Sequence, residues 1–161
     1  LCRFPGETSS VHLVDMPETP ADWLNPALAA KWVHLRRIRR VVTGAIEEER
    51  KEKRIGSSLE VEDLTLTVTN PQLLRVVKET PADILSDIFI VSGVVINAED
   101  IPEVIAHPTG AFSLPDVPGV SVVVIGETGH GTKCERCWKV LPDVGSHKHP
   151  GTCKRCNDAL G

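Results

Sequence analysis

The sequence predicts an α+β fold: one long helix, a small mixed sheet with short helices, and a cysteine module at the end. Three observations carry this. After Asn25-Pro26, apolar residues Leu28, Trp32, Leu35, Ile38, Val42, Ala45 and Ile46 recur mostly three or four apart, the mark of a helix with one apolar stripe. Runs rich in β-branched residues at 88–96 and 120–127, bounded by Asp87, Asn97, Gly119 and Gly129, read as strands with at least one buried face. Four of the five cysteines sit at Cys134, Cys137, Cys153 and Cys156.

Residues 1–24 are rich in Pro, Ser and Thr, and the alternating piece SVHLVDMP (10–17) within them reads as an extended connector. Asn25 offers an N-cap and Pro26 the first helical position. Gly56, past Lys53 and Arg54, supplies the stop, giving a helix of about 28 residues, or roughly 40 Å. In SSLEVEDLTLTVT the alternation of Leu59 and Val61 slips by one residue at Asp63 before Leu64, Leu66 and Val68. That slip marks a bulge within a strand or a break between two. Asn70-Pro71 opens a short helix to Lys78, and Thr80-Pro81 another to about Ser86. The Pro- and Gly-rich residues 106–119 read as a loop. No repeat appears beyond the paired Cys-x-x-Cys.

No apolar run approaches the roughly 20 residues needed to cross a bilayer, and the N-terminus has no basic segment followed by an apolar one. The expectation is a soluble, cytoplasmic chain with no membrane partner. It begins at Leu1 and its single methionine is Met16, so it is expected to be an excised piece of something longer. The net charge of −4 hides segregation. Residues 1–30, 31–54, 55–129 and 130–161 carry −3, +5, −9 and +3. Two basic elements flanking an acidic middle point to polyanionic partners.

The spacing C-x2-C-x15-C-x2-C is that of a structural zinc site, in which two tight turns aim four thiolates at one ion. A disulfide scaffold would need an oxidising compartment and would strand Cys2; a redox pair would not need two copies. With four thiolates there is no open coordination position, so the one zinc organises structure and catalyses nothing. His147 and His149 are expected on the hairpin tip, outside the ligand set. Around them Arg136, Lys139, Lys148, Lys154 and Arg155 form a basic knuckle. Its one aromatic, Trp138, either stacks on an RNA base or covers the finger's own small core, the plainer reading. The long helix offers a second basic surface in Arg36, Arg37, Arg39 and Arg40, with no acid nearby in sequence. There is no glycine-rich phosphate loop and no nucleophile elbow, so the chain is expected to bind rather than react.

The residues resemble the C-terminal region of bacterial-type isoleucyl-tRNA synthetases. The resemblance is carried by SVHLVDMP (10–17), AIEEERKEKRIGSSLE (45–60), DIFIVSGV (87–94), KCERCWKVLPDVG (133–145) and HPGTCKRCNDAL (149–160). It implies three domains: 1–56 from a helical anticodon-binding domain, 57–129 a small α/β domain, and 130–161 a zinc finger held by Cys134, Cys137, Cys153 and Cys156. It also implies a parent enzyme that joins isoleucine to its tRNA using ATP. The family's HIGH and KMSKS signatures and its editing domain are absent, so this piece alone should not aminoacylate. Its implied partners are isoleucine tRNA and the rest of the synthetase. Without that remainder the stripe headed by Trp32 and Ile38 is expected in water, with self-association through 28–46. Two rival functions remain: a DNA-binding finger of the DNA repair glycosylase type, and a purely structural zinc staple.

Overall fold

The computed structural model describes residues 18–97, 110–126 and 129–161; the connector expected at 10–17 lies outside them. Helix α1 (Pro26–Lys51) starts as the sequence predicts, with the Asn25 side chain accepting from the Leu28 N–H at 2.9 Å. It ends before Gly56. Lys53 adopts a left-handed backbone at φ 56°, the Arg54 N–H donates to the Glu49 carbonyl, and the Lys53 N–H donates to that of Arg50, both at 3.0 Å. This is the paired closure of a Schellman motif, with lysine where glycine is usual.

Gly56 belongs instead to the next turn. The Glu60 carboxylate accepts from the N–H groups of Gly56 and Ser57 at 2.8 and 3.2 Å, and Ser57 Oγ accepts from the Leu59 N–H. The result is a capping box on the 3-10 turn Ser58–Glu60. Those backbone donors, Gly56 first, hold the Glu60 carboxyl below the usual carboxylate range. The slip at Asp63 is therefore a break: 3-10 turn before it, strand β1 (Asp63–Val68) after it.

Strand β1 is the axis of a four-stranded sheet ordered β2-β1-β4-β3. It pairs in parallel with β2 (Val94–Asn97) and antiparallel with β4 (Val120–Ile125), which pairs antiparallel with β3 (Phe112–Ser113). The parallel step from β1 to β2 is bridged by helices α2 (Pro71–Lys78) and α3 (Ala82–Phe89). Here the run 88–96, expected as one strand, is divided. Its first residues finish α3, where Leu85 and Phe89 lie one turn apart and are both buried. Ile90 then turns through a left-handed backbone at φ 60°, with the Val91 N–H on the Ser86 carbonyl at 3.0 Å. Only Val94–Asn97 is strand. The two-residue β3 lies inside the segment expected as loop.

One core joins helix and sheet. Leu35, Ile38, Val41, Val42, Ala45 and Ile46 of α1 are buried in the same cluster as Leu64, Leu66, Val68, Val120, Val122 and Val124. Register explains the sheet's share: Leu64 lies between Val94 and Val124, and Leu66 between Ile96 and Val122, all on one face. The expectation that the stripe lies in water is overturned for Ile38, which is fully buried, and holds only toward the helix start, where Leu28 is 50 % and Trp32 39 % exposed. Two close approaches set this packing. A Cβ on Gly44 would meet the Phe112 ring at 2.6 Å, and one on Gly93 would collide with the Glu62 carbonyl oxygen, beside the Gly93 carbonyl that receives the Leu64 N–H.

Truncating Ile38 to Ala is expected to lower stability by about 2–5 kcal/mol in urea denaturation, as for a residue deep in a packed core. Val33→Ala, five residues earlier on an exposed position, should change it by no more than about 0.5 kcal/mol. Equal small effects would return the stripe to solvent.

Candidate metal centre and nucleic-acid surface

The last 30-odd residues have too few apolar side chains for a core of their own; their buried residues are Cys134, Thr152, Cys153 and Cys156, with Cys137, Leu141 and Val144 packed against the cysteines. Strands β5 (Thr132–Lys133) and β6 (Val140–Leu141) form a two-stranded hairpin, and helix α4 (Lys154–Asp158) carries the last cysteine. In the first knuckle the Cys134 N–H donates to the Lys139 carbonyl, and the Trp138 N–H to the Cys134 carbonyl, both at 2.9 Å. In the second, the Cys153 N–H points at Cys134 Sγ at 3.4 Å. The Glu135 N–H ties the two together on the Gly151 carbonyl.

These turns bring Sγ of Cys134, Cys137, Cys153 and Cys156 within 4.8 Å of one another. A tetrahedral thiolate shell with zinc–sulfur bonds of about 2.3 Å has sulfur–sulfur edges of about 3.8 Å, and Cys137 and Cys153 are 3.8 Å apart. No pair is bonded, and that separation is far from the roughly 2.05 Å of a disulfide. The donor set and its spacing fit one structural zinc. Burial opposes ionisation of Cys134, but the N–H groups of Cys137, Cys153 and Arg136 and the Cys137 thiol bring it down to about 6. Burial, joined by neighbouring thiols, pushes Cys137 up to about 12. A divalent cation would displace the protons of such a cluster. His147 pairs with Asp143 at 2.9 Å and His149 stands outside the sulfur cluster.

Four thiolates around a divalent ion also change the charge account. They lower the formal charge of residues 130–161 from +3 to +1. Several of the finger's cations are moreover engaged. Lys139 Nζ, only 14 % exposed, donates to Asp87 at 2.6 Å, and Arg155 reaches the same carboxylate at 3.2 Å; the Lys139 hydrogen bond leads in holding Asp87 below the usual range. Lys154 pairs with Asp158 at 2.9 Å, and Lys148 donates to the Gly161 carbonyl. The Arg136 side chain has no hydrogen-bonded or ion-pair partner among the described residues. Trp138 does not cover the finger's core: it is 61 % exposed, on a left-handed backbone at φ 67°.

On α1 the four arginines separate. Arg40 pairs with Asp116 at 2.8 Å and Arg37 donates to the Asp116 carbonyl, so an acid 76 residues away balances the end of the cluster. Arg36 and Arg39 are exposed and pair with none of the described acids. Asp87, Ser92 and Asp116 are the residues that sequence reasoning missed. Ser92 Oγ donates to the Leu59 carbonyl at 2.6 Å and accepts from the Val140 N–H at 2.7 Å. With Asp87 it forms the seam between finger and sheet domain. No local pattern flags these three, because each partner is more than 30 residues distant.

Chelating the metal should make four additional thiols reactive toward a thiol reagent while helical circular dichroism stays nearly constant, since α1, α2 and α3 lie outside the finger. Asp87→Asn should keep the metal yet loosen the seam by about 1–2 kcal/mol, the range for charge-assisted bonds partly open to water. Hydrogen exchange at the Val140 amide reads it. Unchanged protection there would remove Asp87 from the seam.

Residues 131–159 match the family described as "Zinc finger found in FPG and IleRS". Over 159 residues, 99 % of this chain, it is 46 % identical to "Isoleucine--tRNA ligase" of Ruegeria pomeroyi, whose length that stretch covers to 15 %. It is 40 % identical over 91 % of its length to "Isoleucine--tRNA ligase" of Agrobacterium fabrum, and 44 % over 90 % to that of Mesorhizobium japonicum, in each case 14 % of the relative. The chain thus spans about one seventh of the curated relatives it matches. Along nearly all of its own residues, the chain is therefore similar to a stretch of isoleucine--tRNA ligases.

Proposed function

We propose that the chain is a tRNA-binding, zinc-stapled portion of an isoleucine--tRNA ligase, whose whole enzyme joins isoleucine to its tRNA with ATP in the cytoplasm. The observation that carries the RNA reading is Trp138. An aromatic ring held out in water by a strained left-handed residue, beside the unpaired Arg136, is suited to stacking on an unpaired base. Cys134, Cys137, Cys153 and Cys156 are the proposed zinc ligands, Arg36 and Arg39 the leading phosphate contacts. Arg37, Arg40, Lys148, Lys154 and Arg155 hold exposed, solvent-screened intramolecular partners, weak enough to exchange for phosphate. Lys139 is mostly buried and serves the seam. Leu28 and the exposed Trp23 and Leu24 ahead of it are the proposed contact for the rest of the synthetase, and in its absence for self-association. Nothing in the site arranges a nucleophile or a nucleotide, so the chain alone is expected to be inactive in aminoacylation.

Titrating the zinc-loaded chain against isoleucine tRNA, a non-cognate tRNA and duplex DNA over a salt series tests this. Preference for tRNA, with affinity falling steeply as salt rises, is the expected result. The seam through Asp87 and Ser92 favours a second reading, a staple with no nucleic-acid affinity, and absence of binding would decide for it. Preference for duplex DNA would favour the glycosylase-type finger.

A further inference from the structure

A depression of about 470 Å³ lies between α1 and the end of α3, lined by Trp32, Arg36, Arg39, Asp87, Ile88 and Ile90. Its volume is within the roughly 300–1,000 Å³ of small-ligand pockets. Trp32 is 39 % and Ile90 46 % exposed. Ile90 is a β-branched residue on a left-handed backbone, a conformation that such side chains seldom adopt and that the surrounding structure must enforce. Arg36 and Arg39, without partners among the described acids, also line an adjoining depression of about 460 Å³ with Arg40, Thr43, Gly44, Leu114 and Glu47, an acid paired with Arg50. The one acid in the first depression, Asp87, is already engaged by Lys139 and Arg155.

We infer that this depression binds one unpaired nucleotide of an RNA strand, its base against Trp32 and Ile90 and its phosphate between Arg36 and Arg39. The inference rests on the RNA-binding reading and adds to it a site on α1 separate from the finger. Apolar ring plus free guanidinium is the pairing that holds single strands: the ring accepts any base face, and the cation tracks the backbone. A peptide would find few hydrogen-bonding partners here. Paired RNA keeps its bases stacked and could use only the arginines.

The zinc-loaded chain carrying fluorotryptophan reports on this directly, its three tryptophans being assigned by substitution with Phe. Titration with a short single-stranded oligoribonucleotide should move the Trp32 fluorine resonance along the binding curve, whereas a blunt RNA duplex at the same concentration should not. Trp32→Ala should weaken single-strand binding roughly 10-fold, within the range for loss of one stacked base, and Trp32→Phe should recover most of it. The double change Arg36→Gln and Arg39→Gln, on exposed positions that leave the core intact, should reduce the salt slope by about 0.7, one phosphate on a single strand. If RNA moves only Trp138, and both variants bind as the parent does, the α1 site is wrong while RNA binding by the finger stands. If no RNA binds the unmodified chain at any salt concentration, both readings fall.

Discussion

The burial of one helical stripe on one sheet face decides the arrangement of everything else. Leu35, Ile38, Val41, Val42, Ala45 and Ile46 meet Leu64, Leu66, Val122 and Val124 in a single cluster. Each such side chain removed from water contributes on the order of 1.5–3 kcal/mol. No polar contact described above approaches that total. Because the helix has 3.6 residues per turn, fixing Ile38 inward fixes Arg36, Arg39 and Arg40 outward. The basic face is thus a geometric consequence of the apolar one, and the helix cannot rotate to hide its arginines without exposing the core.

The zinc finger depends on this body in a different way. Its sulfur cluster substitutes for an apolar core, since coordination energy can replace burial in a domain this small. Coordination orders the knuckles but says nothing about where the finger sits. Position comes from the seam: Asp87 receiving Lys139 and Arg155, and Ser92 linking the Leu59 carbonyl to the Val140 N–H. Asp87 closes α3 and Ser92 follows its left-handed exit at Ile90. The same turn therefore orients the finger and shapes the depression beside Trp32.

What was legible in the sequence follows from how local its causes are. The start of α1 was readable because an Asn-Pro cap acts within four residues, and the metal cluster because Cys-x2-C spacing is itself the geometry of a turn. The end of α1 was not, because Lys53 adopts the backbone that glycine usually takes, leaving Gly56 as a decoy. The run 88–96 misled for a related reason. Its β-branched composition suits a strand, yet Phe89 completes an inward face of α3 with Leu85, and that packing overrides propensity. Trp138 was expected inward because a small finger needs apolar cover; thiolates and Leu141 and Val144 supply that cover instead. The pairing of Arg40 with Asp116 needed the sheet before it could exist.

Electrostatics then separates the basic residues that composition lumps together. Loading four thiolates with a divalent ion leaves the finger at a formal +1, and its partly buried Lys139 is committed to the seam. The +5 of residues 31–54 is also reduced in effect, since Arg50, Lys51 and Arg54 pair with Glu47, Glu48 and Glu49. Arg36, Arg39 and Arg136 remain as arginines whose exposed side chains have no partner among the described residues, alongside Lys53, Lys78 and Lys133. The arginines lie beside the two large apolar side chains, Ile90 and Trp138, that the backbone holds outward in left-handed conformations at φ 60° and 67°. Strain retained at exposed positions stabilises nothing in the folded chain by itself. Its coincidence with the arginines left unpaired is best explained by a ligand that is both anionic and flat-faced, which describes a nucleotide with its base unstacked.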